Sequence, residues 1–167
     1  MIQPMQHLWA AWRMAFIKGE KPAGCFFCEA AGADPSEDEV RLVLARTGRS
    51  LAMLNRYPYN NGHLMVAPVT HLANLEDLPP TTASDMTLLT QRSLRVLRDV
   101  LKPHGFNLGI NAGKIAGAGV ADHVHQHVVP RWDGDTNFMP VIAETKVLNE
   151  TLSTSYQQLR AGFDRIT

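Results

Sequence analysis

An α+β fold is predicted: a mainly five-stranded antiparallel sheet covered by one long helix, with further helices at the termini. Three observations lead there. Short apolar runs separated by turn residues dominate the first two thirds of the chain. One long segment, Met86 to Leu101, carries its apolar residues at helical spacing. A second such segment closes the chain.

The elements follow in order. Trp9, Trp12 and Phe16 fall at helical spacing within an N-terminal arm, residues 1–20. The small, acidic segment Gly32 to Glu39 reads as a loop. Arg41–Arg46 and Ser50–Asn55, divided by Thr47-Gly48-Arg49, form a hairpin signal. Tyr57 to Gly62 is a polar turn, and His63–Pro68 is the next strand. Thr82 with Asp85 resembles a capping box that opens the long helix. On that helix Met86, Leu89, Leu94, Leu97 and Leu101 share one face, and Pro103 to Gly105 ends it. Phe106–Asn111 and His123–Arg131 are strands, joined by the glycine-rich loop Gly113 to Gly119. Leu148, Leu152, Tyr156, Leu159 and Phe163 mark the C-terminal helix. The chain of 167 residues with 45% hydrophobic content suits a single domain over 1–167. Its core spans 20–140, and 141–167 is a helical extension.

Composition excludes several classes. Sixteen basic residues balance sixteen acidic ones, so no basic stripe offers itself to nucleic acid. No apolar run approaches the roughly 18 residues of a membrane span. The N-terminus lacks the pattern of a signal peptide, so a cytoplasmic location is expected.

The chemistry concentrates in one strand. Alternation puts His123, His125 and His127 on one face, spaced about 6–7 Å apart, with Val124, Gln126 and Val128 opposite. Three imidazoles on one face can bind metal, transfer protons or attack an electrophile, or they can line a plain surface. The loop Asn111 to Gly119 immediately before them favours attack, because its backbone N–H groups can converge on phosphate oxygens. A neutral ring nitrogen of His125 would attack the α-phosphorus of a nucleotide. His127 would contact the phosphate or steady the leaving oxygen. That chemistry requires no catalytic metal. The only cysteines, Cys25 and Cys28, form a CxxC pair. It reads as half a metal site, as two reduced buried thiols or, least well, as a redox pair.

His123-Val-His-Gln-His-Val-Val129 fits the signature of the histidine triad (HIT) superfamily. Leu54 to Tyr59, Gly62 to Pro68 and Phe106 to Asn111 are similar to HIT sequence as well. The opening His7 to Arg13 and the stretch Pro130 to Phe138 most resemble the bacterial branch of diadenosine tetraphosphate (Ap4A) phosphorylases and ATP adenylyltransferases. The resemblance implies a HIT-like fold, a homodimer and a purine nucleotide or dinucleoside polyphosphate substrate. It implies His125 as nucleophile, His127 on the phosphate, Asn111 beside the α-phosphate, Asn55 on the ribose, and Gly117, Ala118 and Gly119 in the phosphate loop. Phe27 and Leu54 are candidates for the base pocket. Some HIT proteins and the related galactose-1-phosphate uridylyltransferases complete a structural zinc site with two histidines. These match His71 and His123 here, joining Cys25 and Cys28. The loop departs from relatives that carry a serine or threonine before the first histidine, which leaves phosphorolysis and hydrolysis both open. The resemblance also leaves open nucleoside phosphoramidate hydrolysis and a nucleotide-binding regulatory role.

Overall fold

The computed structural model describes residues 24–136 and 148–166. The arm with Trp9 and Trp12 lies outside them, as do Asn137 and Phe138 at the end of the Pro130 to Phe138 stretch.

Five strands make one antiparallel sheet: β1 (Val43–Arg46), β2 (Ser50–Leu54), β3 (Leu64–Pro68), β4 (Gly105–Ile110) and β5 (Gln126–Arg131). Their spatial order is β1-β2-β3-β5-β4, so the strand after the histidines lies between β3 and β4. Three helices precede or cover the sheet: α1 (Phe26–Gly32), the single turn α2 (Asp38–Arg41) and the long α3 (Pro80–Leu101). A fourth, α4 (Leu152–Arg165), follows.

The expected acidic loop is partly helical, with a 3-10 turn at Pro35–Glu37 running into α2. The reason is Asp38. It is buried and paired with Arg46 of β1, which fixes the segment against the sheet. The start of α3 also differs from expectation. Proline at Pro80 opens the helix without a side-chain cap. Asp85 instead accepts a hydrogen bond from the Thr47 hydroxyl at 2.5 Å, tying α3 to the β1–β2 turn. Leu148 precedes α4, whose cap is the Thr151 hydroxyl accepting from the Thr154 N–H.

Alternation along the strands divides the core. On one side Leu44, Ala52, Leu54, Leu64, Val66, Val124 and Val128 pack beneath α3 and α4. Gly162 allows this close approach, because a Cβ there would lie 2.8 Å from Val96 and Val100 side-chain atoms. On the other side a smaller cluster joins Phe27 and Ala30 of α1 to Val43, Leu51, Met53, Met65 and Ala67. The histidines sit above this second face. Among the described residues no helix is long and apolar enough to cross a membrane.

Candidate active site and metal centre

β5 begins at Gln126, so His123 and His125 lie in the extended lead-in rather than in the ladder. They still share a face with His127. The Phe27 ring lies 5.0 Å from the His123 ring and 4.9 Å from the His125 ring, and His127 meets His125 edge-on at 4.9 Å. Val124 and Val128 enter the core under α3, and Gln126 accepts a hydrogen bond from the α3 hydroxyl of Thr90.

His125 is 4% exposed. Its Nδ1 lies 2.8 Å from the backbone carbonyl of His123. A carbonyl only accepts, so Nδ1 carries the proton and Nε2 keeps its lone pair. Burial holds the ring below the ordinary histidine pKa, although the carbonyl partner opposes this. The ring is therefore kept neutral.

His127 has a partner that the sequence reading passed over. His63, fully buried at the entry to β3, places Nε2 3.0 Å from His127 Nδ1. The Tyr59 N–H donates to His63 Nδ1 at 3.1 Å, and the Tyr59 ring stacks on the imidazole at 4.7 Å. With Nδ1 accepting, the neutral His63 carries its proton on Nε2 and donates to His127 Nδ1. His127 then carries its own proton on Nε2. The turn that delivers His63 depends on Gly62, at φ 71°, where a Cβ would collide with the Leu101 side chain. A histidine adjoining a glycine turn and opening an apolar strand was the available signal.

At the other end, His123 turns away from the nucleophile. Its Nε2 donates to the Pro68 carbonyl at 2.8 Å, leaving Nδ1 toward the cysteines. Cys25 Sγ lies 3.2 Å from it, Cys28 Sγ 3.6 Å and His71 Nδ1 3.3 Å. Cys28 Sγ is 3.2 Å from His71 Nδ1. The four ligand atoms all fall within 4.8 Å of one another. Thus Cys25, Cys28, His71 and His123 form a group that could hold a metal ion. The N–H of Val124 donates to the Leu72 carbonyl at 2.7 Å, fastening the His71 loop beside the histidine segment. Burial and the neighbouring Cys25 push the Cys28 thiol up, so two adjacent thiolates here need a cation between them.

The remaining expected residues divide. Asn55 accepts the Tyr57 N–H at 2.8 Å, while its amide nitrogen lies 3.4 Å from Met65 Sδ. Met65 is the residue of β3 opposite His127, so Asn55 reaches the histidine face. Asn111 donates to the Gly117 carbonyl at 3.4 Å and braces the glycine loop. That loop differs from expectation. The N–H groups of Gly117 and Ala118 bond to the Lys114 and Gly113 carbonyls within the loop, so among the described residues only the Gly119 N–H of the three makes no such bond. The turn itself consumes the other two. The base-pocket candidates fail on exposure. Leu54, 1% exposed, lies under α3, on the wrong face by strand alternation; Met53 occupies the histidine face instead. Phe27 is 0% exposed and lies beneath the histidines, presenting no surface to a base.

A neutral, buried His125, a His127 with its proton on Nε2 and a cysteine–histidine group thus converge on one face of a five-stranded sheet. Residues 37–134 match the HIT domain; the chain belongs to the HIT family. Among relatives, it is 39% identical over 167 residues to the AP-4-A phosphorylase of Mycobacterium tuberculosis (strain ATCC 25618 / H37Rv), covering 96% of this chain and 86% of that one. It is 34% identical over 93 residues to the asymmetrical bis(5'-nucleosyl)-tetraphosphatase of Schizosaccharomyces pombe, covering 56% of this chain and 50% of that protein. The fold is similar to that of a Zn-bound histidine triad family protein from Mycobacterium smegmatis, with TM-score 0.66 and 30% identity, over 85% of this chain and 94% of that one.

Proposed function

We propose that this protein is a nucleotidyl-transferring enzyme acting on dinucleoside polyphosphates, as an Ap4A phosphorylase or hydrolase, through a covalent nucleotidyl-His125 intermediate. The observation that carries the reading is the 2.8 Å contact of His125 Nδ1 with the His123 carbonyl. It directs a neutral, buried Nε2 outward as the nucleophile.

The first step forms a bond from Nε2 to the α-phosphorus and breaks the phosphorus–oxygen bond to the leaving nucleotide. The departing oxygen belongs to a nucleotide phosphate and takes the electron pair as an anion, to which the His127 Nε2–H donates a hydrogen bond. His63 keeps His127 in the required tautomer. The His125 ring retains its Nδ1 proton, so the adduct is cationic and a good leaving group. In the second step phosphate attacks phosphorus, or water does and releases its proton to solvent; the nitrogen–phosphorus bond breaks, and its electron pair returns to Nε2. Asn55 on the ribose, and Asn111 and Gly119 near the phosphates, are the proposed binding residues.

The metal of the cysteine–histidine group is proposed to be zinc in a structural role. Tetrahedral zinc with sulfur at about 2.3 Å and nitrogen at about 2.05 Å separates its ligand atoms by about 3.3–3.8 Å. The spacings of 3.3 and 3.6 Å fall in that range and that of 3.2 Å lies just below it, with all four ligand atoms within 4.8 Å of one another. All four positions are filled by protein, so zinc here braces and supplies no reacting water. Paired reduced thiols fit a cytoplasmic location. The dimer is proposed to form along β4, an edge strand with Leu108 47% exposed. α3 spends its apolar face on the sheet and on α4 of the same chain.

Product analysis tests the activity. Purified protein is incubated with Ap4A, with and without inorganic phosphate. ADP plus ATP formed only with phosphate marks phosphorolysis; AMP plus ATP without phosphate marks hydrolysis; ADP alone would place cleavage away from the α-phosphorus and contradict the His125 step. Turnover of adenosine phosphoramidate with Ap4A untouched would contradict the proposal.

A further inference from the structure

The knuckle and the nucleophile share one side chain that neither chemistry requires. Phe27 stands between Cys25 and Cys28 in sequence, at the start of α1. Its ring is 0% exposed, rests on Met53, Met65 and neighbours below, and carries the His123 and His125 rings above. The two imidazoles lie tilted over it by 40° and 37°. One His125 nitrogen is anchored on the His123 carbonyl, and His127 touches the ring's edge. A ring held at a single nitrogen can still swing about its side-chain torsions. Swinging redirects the Nε2 lone pair, and in-line attack on phosphorus depends on that direction.

We propose that Phe27 is a positioning residue, fixed on both sides by the cysteines, whose ring sets the plane of His125 and so links the metal knuckle to the nucleophile. The inference rests on the proposed role of His125. It gives the knuckle a task at the reacting atom, transmitted through packing rather than through metal chemistry. The same burial separates it from the alternative in which Phe27 lines a base pocket, since a residue touching the base would govern affinity.

The test uses zinc-loaded, full-length protein with Phe27→Ala, and Phe27→Met as a volume-conserving variant should the first fold poorly. Three quantities are read: zinc per chain, kcat against KM for Ap4A, and the 15N signals of the His125 ring at one fixed pH. Zinc content is expected to stay at wild-type level. In F27A, kcat should fall about 30–100-fold with KM changed less than about threefold; in F27M the loss should stay below about tenfold. The single Nδ1–H tautomer signal of the wild type should broaden or split in F27A. A raised KM with unchanged kcat would overturn the proposal in favour of a base pocket. Unchanged kcat and unchanged ring signals in folded protein would reduce Phe27 to core packing. If wild-type protein leaves Ap4A intact, the functional reading fails, and the ring signals still decide the placement of Phe27.

Discussion

His123 and His127 stand two residues to either side of His125, yet they are held in opposite ways. The His123 ring is wholly buried, clamped between a backbone carbonyl and a cluster of two thiols and an imidazole. The His127 ring is half-buried and leans on another histidine, which is held by a backbone N–H and a stacked tyrosine. The first end gives up proton chemistry for rigidity, because every ring nitrogen is committed. The second keeps a proton on the nitrogen that faces the site. Triad histidines that look equivalent in sequence are thus held differently, which fits the proposed roles of anchor, nucleophile and hydrogen-bond donor.

Breaking the anchor should have the largest effect. Cys28→Ser should abolish stoichiometric zinc and cost more than about 3 kcal/mol of stability. Metal analysis and thermal unfolding check both. Full metal content in the variant would contradict the assignment of Cys28 as a ligand. Because the site has no open position, wild-type activity should survive a short exposure to excess chelator.

Breaking the donor end should slow chemistry without loosening the fold as much. His63→Leu removes the donor to His127 Nδ1, so kcat should fall about 100-fold, or about 2.7 kcal/mol, with KM little altered. His63→Gln, whose amide can still donate, should recover part of that loss. Equal kcat values for wild type and H63L would remove His63 from the mechanism.

The smallest effect sharpens the comparison by touching the far end of β5. Asp135 accepts from Arg131 Nε at 2.6 Å, from Arg131 Nη2 and from Asn60. The Arg131 bonds hold its carboxyl well below the usual carboxylate range. An acid with a depressed folded-state pKa stabilises above its unfolded value, about 3.9, and loses that contribution as pH falls through the folded one. Asp135→Asn should therefore cost about 1–2 kcal/mol near neutrality. The gap from wild type should shrink below about pH 4. Urea unfolding at pH 7 and pH 3 measures it; a gap of equal size at both would dismiss the ion pair as its source.

The anchor and the donor were unequally legible in the sequence. Strand alternation was enough to place three histidines on one face, and the apolar periodicities of α3 and α4 sufficed for the covering layer. His71 entered the proposed ligand set through likeness to a family, since nothing in local spacing joins it to Cys28, 43 positions away. His63 was missed because it reads as the first residue of an apolar strand; only the sheet brings it to His127, 64 positions on. Leu54 was assigned to the wrong face by one residue, where a period of two allows no tolerance. The glycine loop misled in another way. Glycines show that a chain can turn tightly, but not which N–H groups the turn itself will consume.

The central claim is that His125 Nε2 bonds to phosphorus during turnover. Ap4A labelled with 32P at its α-phosphates, mixed with excess enzyme and quenched in base, tests it most directly. The account predicts acid-labile, base-stable label on the peptide containing His125, absent from His125→Ala, which should retain nucleotide binding but less than about a percent of activity. Full turnover with no trapped label, or substantial activity in H125A, would contradict it.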